Sequence, residues 1–166
     1  MDKKIIEAVL GNRRDEFGFI YPYLFTDKEE LSDLVPISPI ISGYSMATLI
    51  SWICPEVNQK VAVLLKPCET RAIVELSKFE QVSLENLLLM SVECLGTYHV
   101  LEFRKMLDRG ESLEDTLLKS YYRWDDSSFR EACKICLYYK APYSDLNLCF
   151  IDLGGEGLRI EILSEK

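Results

Sequence analysis

The chain has 166 residues, 48% of them hydrophobic and 28% charged, and carries a formal net charge of -8. That length suits one buried core and is too short for two ordinary ones, and the composition excludes a disordered or low-complexity chain. The acidic balance argues against nucleic acid as a partner, because a phosphate backbone would be repelled by most of this surface.

The start, Met1-Asp2-Lys3-Lys4, leads into a charged segment rather than an apolar signal core, so a cytoplasmic location is expected. The longest apolar runs, Val61 to Leu65 and Leu87 to Val92, fall well short of the roughly 20 residues needed to cross a bilayer, so no membrane insertion is expected. The chain is read as a single domain over residues 1–166.

Phe17 to Phe25 is aromatic and β-prone, and the polar break Thr26 to Asp33 offers Thr26 or Asp27 as the cap of a short helical turn. Pro36, Pro39 and Gly43 mark a loop, with Ser45 as N-cap of a helix from Met46 to Ile53 that Pro55 stops. Val61 to Leu65 has the continuous apolar character of a strand buried on both faces. A helix over Glu69 to Phe79 follows, with Ala72, Ile73, Leu76 and Phe79 on one face, and then a second buried strand, Leu87 to Val92.

Strand, helix, strand is a βαβ unit, which presents functional loops at the C-terminal strand ends. Helices are expected over Val100 to Leu107 and from a Ser112 cap through Leu118, with a turn carrying Phe129 to Leu137. Strands are expected at Asn147 to Leu153 and Arg159 to Leu163, around the glycine-rich turn at Gly154 to Gly157. The fold class is therefore α/β, a mainly parallel sheet with flanking helices.

Six cysteines in a reducing compartment point to metal or redox chemistry rather than disulfides. Cys68 lies just past the first buried strand and Cys94 just past the second, so both arrive at the same edge of the sheet. Cys133-x-x-Cys136 adds a chelating pair. Four thiolates suit either tetrahedral zinc or a cubane cluster, and the bland alternative is that Cys68 and Cys94 are small buried apolar residues. Cys54, at a helix end, and Cys149, within a strand, read as core.

Gly43, Ser45 and Thr48 open a helix and would suit a phosphate, although taken alone ordinary helix capping is the favoured reading. Lys66 and Arg71 flank Cys68, where they would either neutralise an anionic cofactor or simply be solvated. His99, the single histidine, has no triad around it and reads as structural, while Glu29-Glu30 and Asp125-Asp126 read as solvated turns.

The runs VAVLLKPCETRAIVEL from Val61, SVECLGTY from Ser91 and CKICLYYKAPYSDLNLCFIDLG from Cys133 resemble the beta subunits of deazaflavin-coenzyme-reducing hydrogenases and related formate dehydrogenases. SGYSMATLISWI, from Ser42, is similar to that family's helix-opening segment near its flavin. The resemblance covers about residues 40 to 155. It implies an oxidoreductase component with a 4Fe-4S cluster and FAD, exchanging electrons with the deazaflavin coenzyme and working beside a catalytic dehydrogenase or hydrogenase subunit.

Carried over by position, the resemblance puts the cluster on Cys68, Cys94, Cys133 and Cys136, and puts Gly43, Ser45 and Thr48 near the flavin. The chain has no closely spaced C-x-x-C-x-x-C run, so a second cluster is not expected. The competing reading is a non-catalytic adaptor whose cysteines hold structural zinc or no metal. A thiol redox enzyme using Cys133 and Cys136 is weaker, because the Trp-Cys-Gly context of thioredoxin-like sites is missing.

Overall fold

The computed structural model describes residues 6–36, 45–53, 58–112, 127–153 and 157–164. Gly43, Cys54, Asp125-Asp126 and the helix expected between Ser112 and Leu118 fall outside these residues, apart from Ser112 itself. Among the described residues the sheet has six strands, β1 (Ala8–Arg14), β2 (Ile20–Phe25), β3 (Val61–Leu65), β4 (Leu87–Val92), β5 (Leu146–Cys149) and β6 (Arg159–Ile162). Their order is β2-β1-β3-β4-β5-β6. The four central strands run parallel, and β2 and β6 pair antiparallel at the two edges. The expected α/β class with a mainly parallel sheet is the observed one.

Both faces of the sheet are covered. Helices α1 (Met46–Ile53) and α2 (Pro67–Lys78) lie on one side, where Met46, Ala47, Ile50 and Ile73 pack with Val61, Val63, Leu65, Leu87 and Leu89. Helix α3 (Val100–Asp108) lies on the other, where Phe103 and Met106 pack with Leu64, Val92, Tyr98, Phe129 and Phe150. Every residue of β3 is buried, as a central parallel strand between two layers requires. A short helix, α4 (Glu131–Lys134), carries the first of the paired cysteines.

Two elements depart from the expectations. β1 has no counterpart in the sequence reading, because its buried stretch, Leu10-Gly11-Asn12, mixes one apolar residue with a glycine and an asparagine. Asn147 to Leu153 is not one strand: β5 stops at Cys149 and a 3-10 turn, Ile151–Leu153, follows. The amides of Phe150 and Ile151 donate to the Glu93 carboxylate instead of extending the ladder (2.8 and 2.7 Å).

Candidate functional site

The site begins with strand register. β3 and β4 pair in parallel with Leu65 opposite Ser91. Cys68 stands three residues past Leu65, and Cys94 three past Ser91, so equal offsets bring the two thiols out at one sheet edge. Pro67 opens α2, where its missing N–H costs nothing, and Cys68 follows in the first turn.

Three ties draw the Cys133-Cys136 segment to this edge. Cys94 N donates to Tyr139 O at 2.9 Å, and Arg130 N donates to Thr97 O at 2.9 Å beside a bridge between Tyr98 and Phe129. The Arg71 guanidinium on α2 sits 4.5 Å above the centre of the Tyr138 ring. Gly96, two residues after Cys94, has φ +113°, and a Cβ there would meet the Phe129 ring at 3.0 Å. Only glycine suits both constraints.

The thiols are close enough to act on one another electrostatically. Burial pushes the Cys94 thiol up to about 11, opposed by a hydrogen bond with the Gly96 backbone and by Lys66, and reinforced by Cys68 and Cys133. Cys68 is also raised, first by burial and then by Glu69; Lys66 opposes the shift while Cys133 and Cys136 add to it. Cys133 Sγ lies 3.2 Å from the buried Thr97 hydroxyl, and Cys136 Sγ points to Tyr138 O at 3.7 Å. The electrostatic contacts thus link all four cysteines, with the buried Lys66 acting on both strand-end thiols. Among the described residues, no three His, Cys, Asp or Glu side chains gather tightly enough to enclose a single ion.

The helix-opening residues are used within the chain. Ser45 Oγ lies 3.0 Å from Thr48 Oγ1 and accepts from Thr48 N at 3.3 Å. The buried Glu69 carboxylate accepts from Met46 N at 3.0 Å and from Lys66 N at 2.9 Å, joining the starts of α1 and α2. Two α1 amides are therefore already satisfied. His99 caps α3 by accepting from Leu101 N at 3.3 Å, Glu30 accepts from the Tyr23 hydroxyl at 2.9 Å, and Cys149 is buried in β5.

Sequence reasoning missed Glu93, Lys140, Glu69 and Thr97. Glu93 is 2% exposed; its Oε2 takes the two amides after β5, and its Oε1 faces Lys140 Nζ as an ion pair at 3.3 Å. Lys140 also reaches Glu161 at 3.2 Å, and these two carboxylates raise its pKa against the opposing effect of burial. For Glu93 the available signal was a carboxylate directly before a strand-end cysteine.

No family profile matches the chain. It is 30% identical over 112 residues to the "F420-dependent formate dehydrogenase subunit beta" of Methanocaldococcus jannaschii, covering 65% of this chain and 28% of that one. It is 36% identical over 101 residues to the "F420-dependent formate dehydrogenase 1 subunit beta" of Methanococcus maripaludis, covering 58% of this chain and 24% of that one. The resemblance seen in the residues is thus a measured relationship: the chain is similar in sequence to formate dehydrogenase beta subunits over 58–65% of its own length and spans about a quarter of theirs.

Proposed function

We propose that this chain is an iron-sulfur electron-transfer component of a formate-dehydrogenase-type oxidoreductase, with Cys68, Cys94, Cys133 and Cys136 as ligands of one 4Fe-4S cluster. The observation that carries this reading is the β3–β4 register, which brings Cys68 and Cys94 out at one sheet edge, together with the Cys94 N–Tyr139 O hydrogen bond that ties the Cys133-Cys136 segment to it. The donor set fits. Four thiolates are the usual ligands of a cubane, and a buried cation offsets the negative charge that such a set acquires.

Four thiolates also suit tetrahedral zinc; the cluster is preferred on the likeness to formate dehydrogenase beta subunits, and metal analysis separates the two. When bound, the cluster would supply single-electron transfer. The chain's own part is to hold the thiols, with Arg71 and Tyr138 clamping the Cys133-Cys136 segment and the Thr97 hydroxyl set against the Cys133 sulfur.

In this reading the electrons pass between the cluster and a flavin or the deazaflavin coenzyme. FAD fits less well at α1, where the Met46 and Thr48 amides are already engaged. The partner would be a catalytic dehydrogenase subunit. The exposed side chains of Ile135, Leu137, Tyr138 and Tyr139 beside the thiols provide an apolar contact surface suited to one.

Purification without oxygen, with iron, labile-sulfide, zinc and flavin analysis, tests the proposal. The expected result is a brown protein with four iron and four sulfide per chain, which bleaches on reduction and is lost in Cys136→Ser. A colourless protein with one zinc per chain would favour the adaptor reading instead.

A further inference from the structure

We propose that β6 is a self-pairing edge through which two copies of this chain join their sheets antiparallel about a two-fold axis at Ile160. This inference is independent of the cofactor reading.

β6 ends the sheet and has β5 as its only strand neighbour among the described residues. The opposite edge, β2, carries Pro22, which removes a backbone donor from that strand. β6 has no such block. Its solvent-facing apolar residues are unusually bare for an edge: Leu158 is 59% exposed, Ile160 57% and Ile162 74%. Alternation places these three on one face and Arg159 with Glu161 on the other. Ile160 and Ile162 lie opposite Leu148 and Leu146 of β5, so a second copy would extend an apolar surface that is already present.

The occupant is indicated by the order of charges. With Ile160 opposite Ile160 of a second copy, antiparallel pairing sets Leu158 against Ile162 and Arg159 against Glu161, and the two-fold repeats both matches. Opposite charges at directly facing positions stabilise a pair, and like charges oppose it. Shifting the pairing centre by one residue, to Glu161, would place Glu161 opposite Glu161 and Ile160 opposite Ile162. The charge pattern therefore favours a second copy in the Ile160-centred register over the Glu161-centred one. Arg159 and Glu161 already meet within one chain at 3.0 Å, so a second copy turns this contact into a four-charge row. An isologous contact of this kind closes as a dimer and does not propagate.

Sedimentation equilibrium on the purified full chain, over a range of concentrations, is the test. The wild-type chain should sediment at twice its 19.2 kDa mass. Ile160→Lys and Ile160→Glu should each be monomeric, because each sets like charges face to face on the axis, and an equimolar mixture of the two should recover the dimer. Circular dichroism checks that each variant is folded, which the exposure of Ile160 favours. A wild-type chain that stays monomeric, a dimer that persists in Ile160→Lys, or a mixture that fails to associate would each overturn the proposal.

Discussion

Replacing Glu93 with glutamine tests whether a buried ion pair holds the cysteine-bearing strand end. Glutamine keeps the shape, and its carbonyl can still accept from Phe150 N and Ile151 N. Its amide then faces Lys140 Nζ in place of the Oε1 that lies 3.3 Å away. At an effective dielectric of about 20 the lost attraction is roughly 5 kcal/mol. Lys140 keeps Glu161 at 3.2 Å, and its side chain is 26% exposed, so part of that attraction is retained or screened. A net loss of about 2–3 kcal/mol follows, below the full cost of stranding a buried charge. For a domain of this size that is a fall of about 5–10 °C in Tm. Urea unfolding of the reduced, metal-free chain measures it directly. Glu93→Gln combined with Lys140→Met should recover more than half of the loss, since the stranded cation is then gone. A Glu93→Gln chain within about 0.5 kcal/mol of wild type would refute the role assigned to the pair.

Three further outcomes are expected. Burial raises Cys94 from its ordinary 9.0 to about 11, so the fold favours the neutral thiol; its contribution is intact below pH 9 and fades as the pH rises through 11. Stability should then fall by about 2 kcal/mol between pH 8 and pH 10.5 from this group, a slope absent in Cys94→Ser when the two urea series are compared. Gly96→Ala should cost about 2–3 kcal/mol, combining a positive φ with contact at 3.0 Å against Phe129, measured by the urea midpoint. Arg71→Ala should cost about 0.5–1 kcal/mol by removing the contact with Tyr138, and limited proteolysis should then cut the Cys133-Cys136 segment sooner.

The parts of the fold that could be read from the residues are those where one local pattern decides the outcome. β3 is an unbroken apolar run, β4 is interrupted by Ser91 alone, and both have the boundaries expected of them; α1 follows a Ser cap and ends before Pro55. β1 was hidden because its partners decide it: antiparallel pairing with β2 and parallel pairing with β3 hold a stretch containing Gly11 and Asn12. The split of Asn147 to Leu153 was hidden for a similar reason. The acceptor that ends the ladder, Glu93, lies 57 residues away from Phe150 in the chain.

The candidate site divides along the same line. The placement of Cys68 and Cys94 follows from two strands and the rule that functional loops gather at their C-terminal ends. Bringing in Cys133 and Cys136 requires contacts between side chains and backbone groups far apart in sequence. Tyr139 O holds the Cys94 amide, Thr97 meets Cys133, and Arg71 covers Tyr138. Each of these ties joins a strand-end loop or α2 to the segment around the paired cysteines, and none needs a ligand in order to form. These ties place the four cysteines of the proposed site through the chain's own contacts. Loss of Arg71 or of the Glu93–Lys140 pair should accordingly loosen the metal-free chain, which urea unfolding reads directly.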